Sequence, residues 1–147
     1  MVPRILKSLC FLVTLCLAST GAFADPTEDI FGRAALYTVR IKAAVPVPFE
    51  GEEQATWSGA GFLVDRQRGW IMTNAHVASR SPSTIEVGFK GSDFIDAYKV
   101  YVDPFLDLAL IAMDPSLIPP ASVMPELDCG DLPRVGHAVG AFGTHGV

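Results

Sequence analysis

The chain has 147 residues, of which 50% are hydrophobic and 18% charged; 11 basic against 16 acidic side chains give a net charge of -5. That apolar content excludes a disordered chain, the acidic balance argues against nucleic acid, whose phosphates need a basic patch, and three cysteines are too few for a disulfide scaffold. The length fits one domain, or part of a larger all-β unit of roughly 200–250 residues.

Residues 1–24 read as an export signal. Arg4 and Lys7 form a short positive region, Leu9 to Ala18 is an uncharged apolar run, and Ala22-Phe23-Ala24 offers small residues at the cleavage positions. The alternative is an uncleaved anchor, but a span needs about 20 predominantly apolar residues. Cleavage after Ala24 leaves Cys129 as the only thiol, so no disulfide can close within the mature chain. Export without disulfides suits a bacterial envelope protein, periplasmic or secreted, and no stable membrane span is expected after cleavage.

Residues 25–33 are polar, contain Pro26, and read as a flexible lead-in. Strands are expected over Ala34 to Ala44, Ala55 to Asp65, Trp70 to Thr73, Thr84 to Lys90, Phe94 to Val102 and Leu108 to Met113, from alternation bounded by turn residues. Gly59 and Gly61 within the second mark a bulge or the close approach of another backbone. Residues 114–136 hold five prolines and read as a long connection, and Val135 to Phe142 begins one more strand. No segment from 25 onward sustains an apolar period of 3.6. Six or so short strands with turns between them predict an all-β chain, a small Greek-key barrel or a sandwich.

Two stretches carry chemistry. His76 follows an apolar strand among the small residues Asn74 and Ala75, where it can reach into a cleft. Asp107 immediately precedes the apolar run Leu108 to Ile111 and can lie partly buried at the core edge. A buried carboxylate needs a hydrogen-bond partner, and an imidazole N–H is a good one. Paired, the two have the relation of the histidine and aspartate in a Ser-His-Asp triad; unpaired, they are a core histidine and a strand-start aspartate.

The wording of the motifs adds to this. Gly59-Ala60-Gly61-Phe62-Leu63-Val64, a short turn, then Trp70-Ile71-Met72-Thr73-Asn74-Ala75-His76-Val77 resembles the histidine hairpin of trypsin-like serine proteases, closest to their bacterial HtrA/Deg-like branch. Asp107-Leu108-Ala109-Leu110 resembles that family's aspartate motif in the right chain order, and abuts the apolar strand as Asp103 does not. Arg134 to Gly143 is similar to the stretch leading out of the family's first barrel. The resemblance covers residues 34–147. Val77 stands where many animal members carry a cysteine, which fits the bacterial branch, and Thr144-His145-Gly146 departs from the Asn-Pro common in HtrA-like chains.

The resemblance implies one antiparallel Greek-key barrel over 34–147, the first half of a double β-barrel together with the start of the inter-barrel connection. It assigns His76 as general base and Asp107 as its orienting carboxylate, with polypeptide substrates and no cofactor. The family's nucleophile lies in a Gly-Asn-Ser-Gly-Gly-like loop, and no such motif occurs in these 147 residues. The expectation is therefore a truncated or partial protease, inactive alone, that contributes to an endopeptidase acting on envelope or unfolded proteins; family members also form trimers, so a homo-oligomer is open for the full-length protein. Two other classes compete. One is a non-catalytic binding module derived from a protease half, against which the retained His76 and Asp107 argue. The other is a metal site built on His76, His137 and His145, for which no His-Glu-x-x-His or Cys-x-x-Cys exists.

Overall fold

A computed structural model describes residues 26–51, 53–127, 130 and 132–143. Residues 1–24, where an export signal is expected, Cys129 and Thr144-His145-Gly146 lie outside the described residues.

The elements are α1 (Pro26–Ala34), β1 (Thr38–Val45), β2 (Ala55–Asp65), β3 (Trp70–Thr73), α2 (Ala75–Ala78), β4 (Thr84–Phe89), β5 (Ile95–Asp103) and β6 (Leu108–Met113), followed by a 3-10 turn at Pro115–Leu117. The strands close into one antiparallel barrel in the order β1-β2-β3-β6-β5-β4. β1, β2 and β3 form a meander and β4 returns beside β1, which is the Greek-key arrangement. The return requires the chain between β3 and β4 to cross the barrel, and α2 lies on that crossing.

Period-two alternation fills the interior. Val39, Ile41 and Ala43 of β1, Leu63 of β2, Ile71 of β3, Ile85, Val87 and Phe89 of β4, and Ala109, Ile111 and Met113 of β6 form one buried cluster, joined by Val77 and Ala78 of α2 and by Ile118. Each large aliphatic side chain buried this way contributes on the order of 1.5–3 kcal/mol. Two irregularities set the register. One falls between Leu63 and Asp65. The other lies between Lys99 and Tyr101, leaving Val100 and Tyr101 both exposed and turning Val102 inward.

The Pro-rich connection is strapped to the barrel. Arg66 Nη1 donates to Ser122 O at 2.9 Å, and Nη2 to Pro119 O at 3.1 Å and Ile118 O at 3.4 Å. This strap holds Ile118 in the core.

Three expectations change. Residues 26–34 form a helix where a flexible lead-in was expected over 25–33, with Glu28 and Asp29 in the first turn and Arg33 in the last complementing its dipole. The first strand therefore starts at Thr38 rather than at Ala34; Thr38 Oγ1 donates back to Ala34 O at 2.8 Å, closing the joint. No strand forms among the described residues of 135–142. Every strand of a closed barrel is already paired on both sides, so no edge is free to receive another.

Candidate active site

The barrel register brings the two chemical stretches together. Thr73, the last residue of β3, pairs with Ala109 near the start of β6. In an antiparallel pair the residues just after β3 therefore stand beside those just before β6. The first group is Asn74-Ala75-His76 and the second ends at Asp107.

After Thr73 the chain turns into the four-residue helix α2, with Asn74 as N-cap and Ala75, Val77 and Ala78 buried. Burial of those three points His76 the other way, and its side chain is 70% exposed. Gly59 explains how the helix can sit so close to β2: a Cβ there would lie 2.7 Å from both Val77 methyls. At Gly61 a Cβ would meet Met72 O at 2.8 Å. Gly59 is thus a seat for the histidine helix through the Val77 side chain, while the close approach of another backbone expected at these glycines is found at Gly61, against β3. Trp57, two residues upstream on the same inward phase, donates its indole N–H to Val77 O at 2.9 Å. Beyond the helix, Ser79 has φ 63 and ψ 152. Lys99 Nζ donates to Ser79 O at 3.1 Å and also to Ser81 O.

Asp107 closes the β5–β6 connection with φ 53, in the left-handed region that Asp tolerates better than most residues. Its Oδ2 lies 2.8 Å and its Oδ1 3.0 Å from His76 Nδ1. The main-chain N–H of His76 donates to Oδ1 at 3.0 Å. Asn74 Nδ2 donates to Oδ2 at 3.1 Å and to the main-chain oxygen of Asp107 at 3.2 Å. The His76 N–H and then the His76 ring hold the Asp107 carboxyl below the ordinary aspartate range; desolvation opposes them, and the Asn74 amide adds the smallest lowering contribution. The Asp107 side chain is 46% exposed. It is wetter than a carboxylate at the core edge would be, as are its neighbours Phe105 and Leu106 on the β5–β6 connection.

Asp103 does different work. Its Oδ1 accepts from the N–H groups of Phe105 and Leu106 at 2.9 and 3.0 Å, shaping the turn that delivers Asp107, and its Oδ2 accepts from Tyr101 Oη at 3.2 Å.

An imidazole bonded through Nδ1 to a carboxylate has its tautomer fixed, with the proton on Nδ1 and a lone pair on Nε2. Among the described residues no hydrogen bond engages Nε2, and the exposed ring can take a proton there from a group brought to it. His137 stands apart from this pair, in a turn where Arg134 N donates to its Nδ1 at 3.4 Å; His145 lies outside the described residues. Among the described residues no three His, Cys, Asp or Glu side chains converge as a metal site would need, and no helix is long and apolar enough to cross a membrane.

Three contributors escaped the reading of the sequence. Asn74 carried a signal, because Asn before a buried Ala-x-Val run is a favoured N-cap. Trp57 and Lys99 occupy inward positions of strands, where an N–H or ammonium must find an acceptor.

A family model described as the trypsin-like peptidase domain matches residues 59–146. Protease Do-like 7 of Arabidopsis thaliana is 30% identical over 112 residues, 76% of this chain and 10% of that protein. The pro-apoptotic serine protease NMA111 of Pyricularia oryzae is 33% identical over 135 residues, 90% of this chain and 13% of that protein. NMA111 of Chaetomium globosum is 32% identical over 127 residues, 85% of this chain and 12% of that protein. The chain spans about a tenth of the length of these relatives, all of them eukaryotic.

Proposed function

The chain belongs to the trypsin-like peptidase domain family, and from that premise we propose that it is the His–Asp half of a serine endopeptidase. The observation that carries the proposal is the contact of His76 Nδ1 with both oxygens of Asp107, on an exposed rim with Nε2 turned outward. The mechanism is the one established for the family and comes here by resemblance. A serine hydroxyl from a second barrel is brought to Nε2. His76 takes its proton as the oxygen attacks the substrate carbonyl, then returns that proton to the leaving amine. Water repeats the cycle on the acyl-enzyme. Asp107 holds the tautomer and stabilises the imidazolium without itself taking the proton.

These 147 residues contain no Gly-x-Ser-Gly-Gly loop. Both the attacking hydroxyl and the oxyanion donors that such a loop supplies would have to come from elsewhere. Alone, the chain is expected not to hydrolyse peptides. The whole protein is read as HtrA/Deg-like: Val77 after the histidine follows the pattern of that branch, and the name of the Do-like relative supports it, while the eukaryotic sources of the relatives lend no support to a bacterial origin. Its substrates are unfolded polypeptides of the envelope. The address at residues 1–24 supports a periplasmic or secreted protein. Phe105, Leu132 and Val139, exposed by 98%, 89% and 86%, leave apolar surface to be covered by the second barrel or by a second copy.

The test is casein hydrolysis by the full-length gene product, read together with labelling by a serine-reactive fluorophosphonate. Both should occur and His76→Ala should abolish the hydrolysis, while the 147-residue chain does neither. Hydrolysis that survives His76→Ala, or a full-length product that takes no label, sinks the proposal. The second of these results would favour a binding module instead.

A further inference from the structure

We propose that Asn74 is a positioning residue, whose side-chain amide holds the Asp107 carboxylate against the imidazole of His76. The proposal rests on reading His76 and Asp107 as general base and orienting carboxylate, and it names what keeps that pair assembled in water.

Asn is favoured as N-cap because its side-chain oxygen accepts from the N–H of the second or third helical residue. Asn74 occupies the N-cap of α2 with an extended backbone, yet its side chain makes no capping bond. The vacancy is filled from another strand: His76 is the second residue of the helix, and its N–H donates to Asp107 Oδ1 at 3.0 Å. The two side chains have exchanged duties. Asp107 caps the helix, and its negative charge suits the helix's positive end. The amide of Asn74, released from capping, turns to Asp107 and grips it twice, at Oδ2 (3.1 Å) and at the main-chain oxygen (3.2 Å).

Both grips have a use. Asp107 keeps a left-handed φ of 53, a conformation that Asp tolerates but that still costs energy, and a donor on its main-chain oxygen opposes relaxation of that turn. Its carboxylate is 46% exposed, and an ion pair this wet contributes little and is free to swing. Among the described residues, contacts to Oδ1 come only from His76 itself. The Oδ2 bond from Asn74 is, among the described residues, the one side-chain contact from a third residue that fixes the plane of the carboxylate, so both oxygens stay within reach of Nδ1. Position 74 thus requires a donor that spans both atoms, which an N-cap serine cannot offer.

Serine therefore separates the two roles, because it caps helices about as well as Asn but lacks the amide. The full chain is compared with Asn74→Ser, Asn74→Ala, Asp107→Asn and the Asn74→Ala/Asp107→Asn double variant. Two NMR signals are followed: the low-field Nδ1–H resonance of His76 at acid pH and the carboxyl-carbon titration of Asp107. In both Asn74 variants the Nδ1–H should exchange about threefold faster and the Asp107 midpoint should rise slightly. In the Asp107→Asn background, where only the main-chain grip remains and there is no carboxyl to titrate, Asn74→Ala should change the Nδ1–H exchange less than it does in the parent. A serine variant that matches the parent in both signals would reduce Asn74 to a cap and overturn the proposal. An equal Asn74→Ala effect with or without the Asp107 carboxylate would overturn it as well. None of these signals needs a nucleophile, so a failure of the peptidase reading in the casein assay is a separate result.

Discussion

The interior of the barrel and its rim obey different rules. Val39, Ile41, Leu63, Ile71, Val87 and Ile111 have no accessible surface, and their positions follow from burial alone. Three residues beyond the last strand residue of β3, His76 and its partner carboxylate stand in water. Hydrogen bonds between exposed groups are individually weak, so the rim cannot hold its geometry unaided. The interior lends it rigidity through Val77 and Ala78, core residues of the helix that carries His76. What has to be dry is the underside of the histidine helix, while the histidine itself stays accessible to whatever it serves.

The contrast predicts a ranking of damage. The largest effect belongs to the interior: Ile71→Ala should cost about 2–5 kcal/mol in a denaturant titration, and a loss below about 1 kcal/mol would mean the core is not packed as described. Next comes the joint between the regions. Gly59→Val would drive a side chain into the Val77 methyls and should cost about 1–3 kcal/mol by overpacking. Unlike Ile71→Ala it should also displace His76 and remove its low-field Nδ1–H signal. If that signal survives in folded Gly59→Val protein, the helix seat is not what aims the histidine.

A smaller effect is expected at Trp57→Phe, which keeps the ring but leaves Val77 O without its indole donor, at about 1 kcal/mol. Equal stability of the two proteins would remove Trp57 from the mounting. The smallest belongs to the rim. Asp107 titrates lower folded than unfolded, so its contribution is complete above the ordinary aspartate range and is lost as pH falls through its lowered folded value. Asp107→Asn should therefore lower stability slightly at neutral pH and make the acid-side decline shallower than in the parent. Part of that decline remains, because Asp65, Asp103 and Asp114 are lowered too. Identical pH profiles would show that the pair does not assemble in solution.

Much of the fold was legible because burial writes itself into alternation. β2, β3 and β6 begin and end where the sequence pattern puts them. The helix over Pro26–Ala34 was missed because its apolar residues, Ile30, Phe31 and Ala34, cover little more than a single turn and cannot build a sustained period. Its Pro at the start and its charge order were the readable signs. The strand expected over 135–142 failed for the opposite reason: alternation was present, but the barrel has no open edge. Pairing, unlike patterning, is a property of two segments.

His76 and Asp107 could be singled out from motif wording, and the family's chain order, carried by that wording, marked them as candidates for one another. Their meeting was decided by the strand register that sets Thr73 opposite Ala109. Local sequence dictates which face of a strand is apolar, since that depends on a chain's own side chains and on water. Which exposed groups come within 3 Å depends on barrel closure, on the left-handed turn at Asp107 and on Asn74 reaching across. Such distances between residues remote in sequence exist only after the chain has closed on itself.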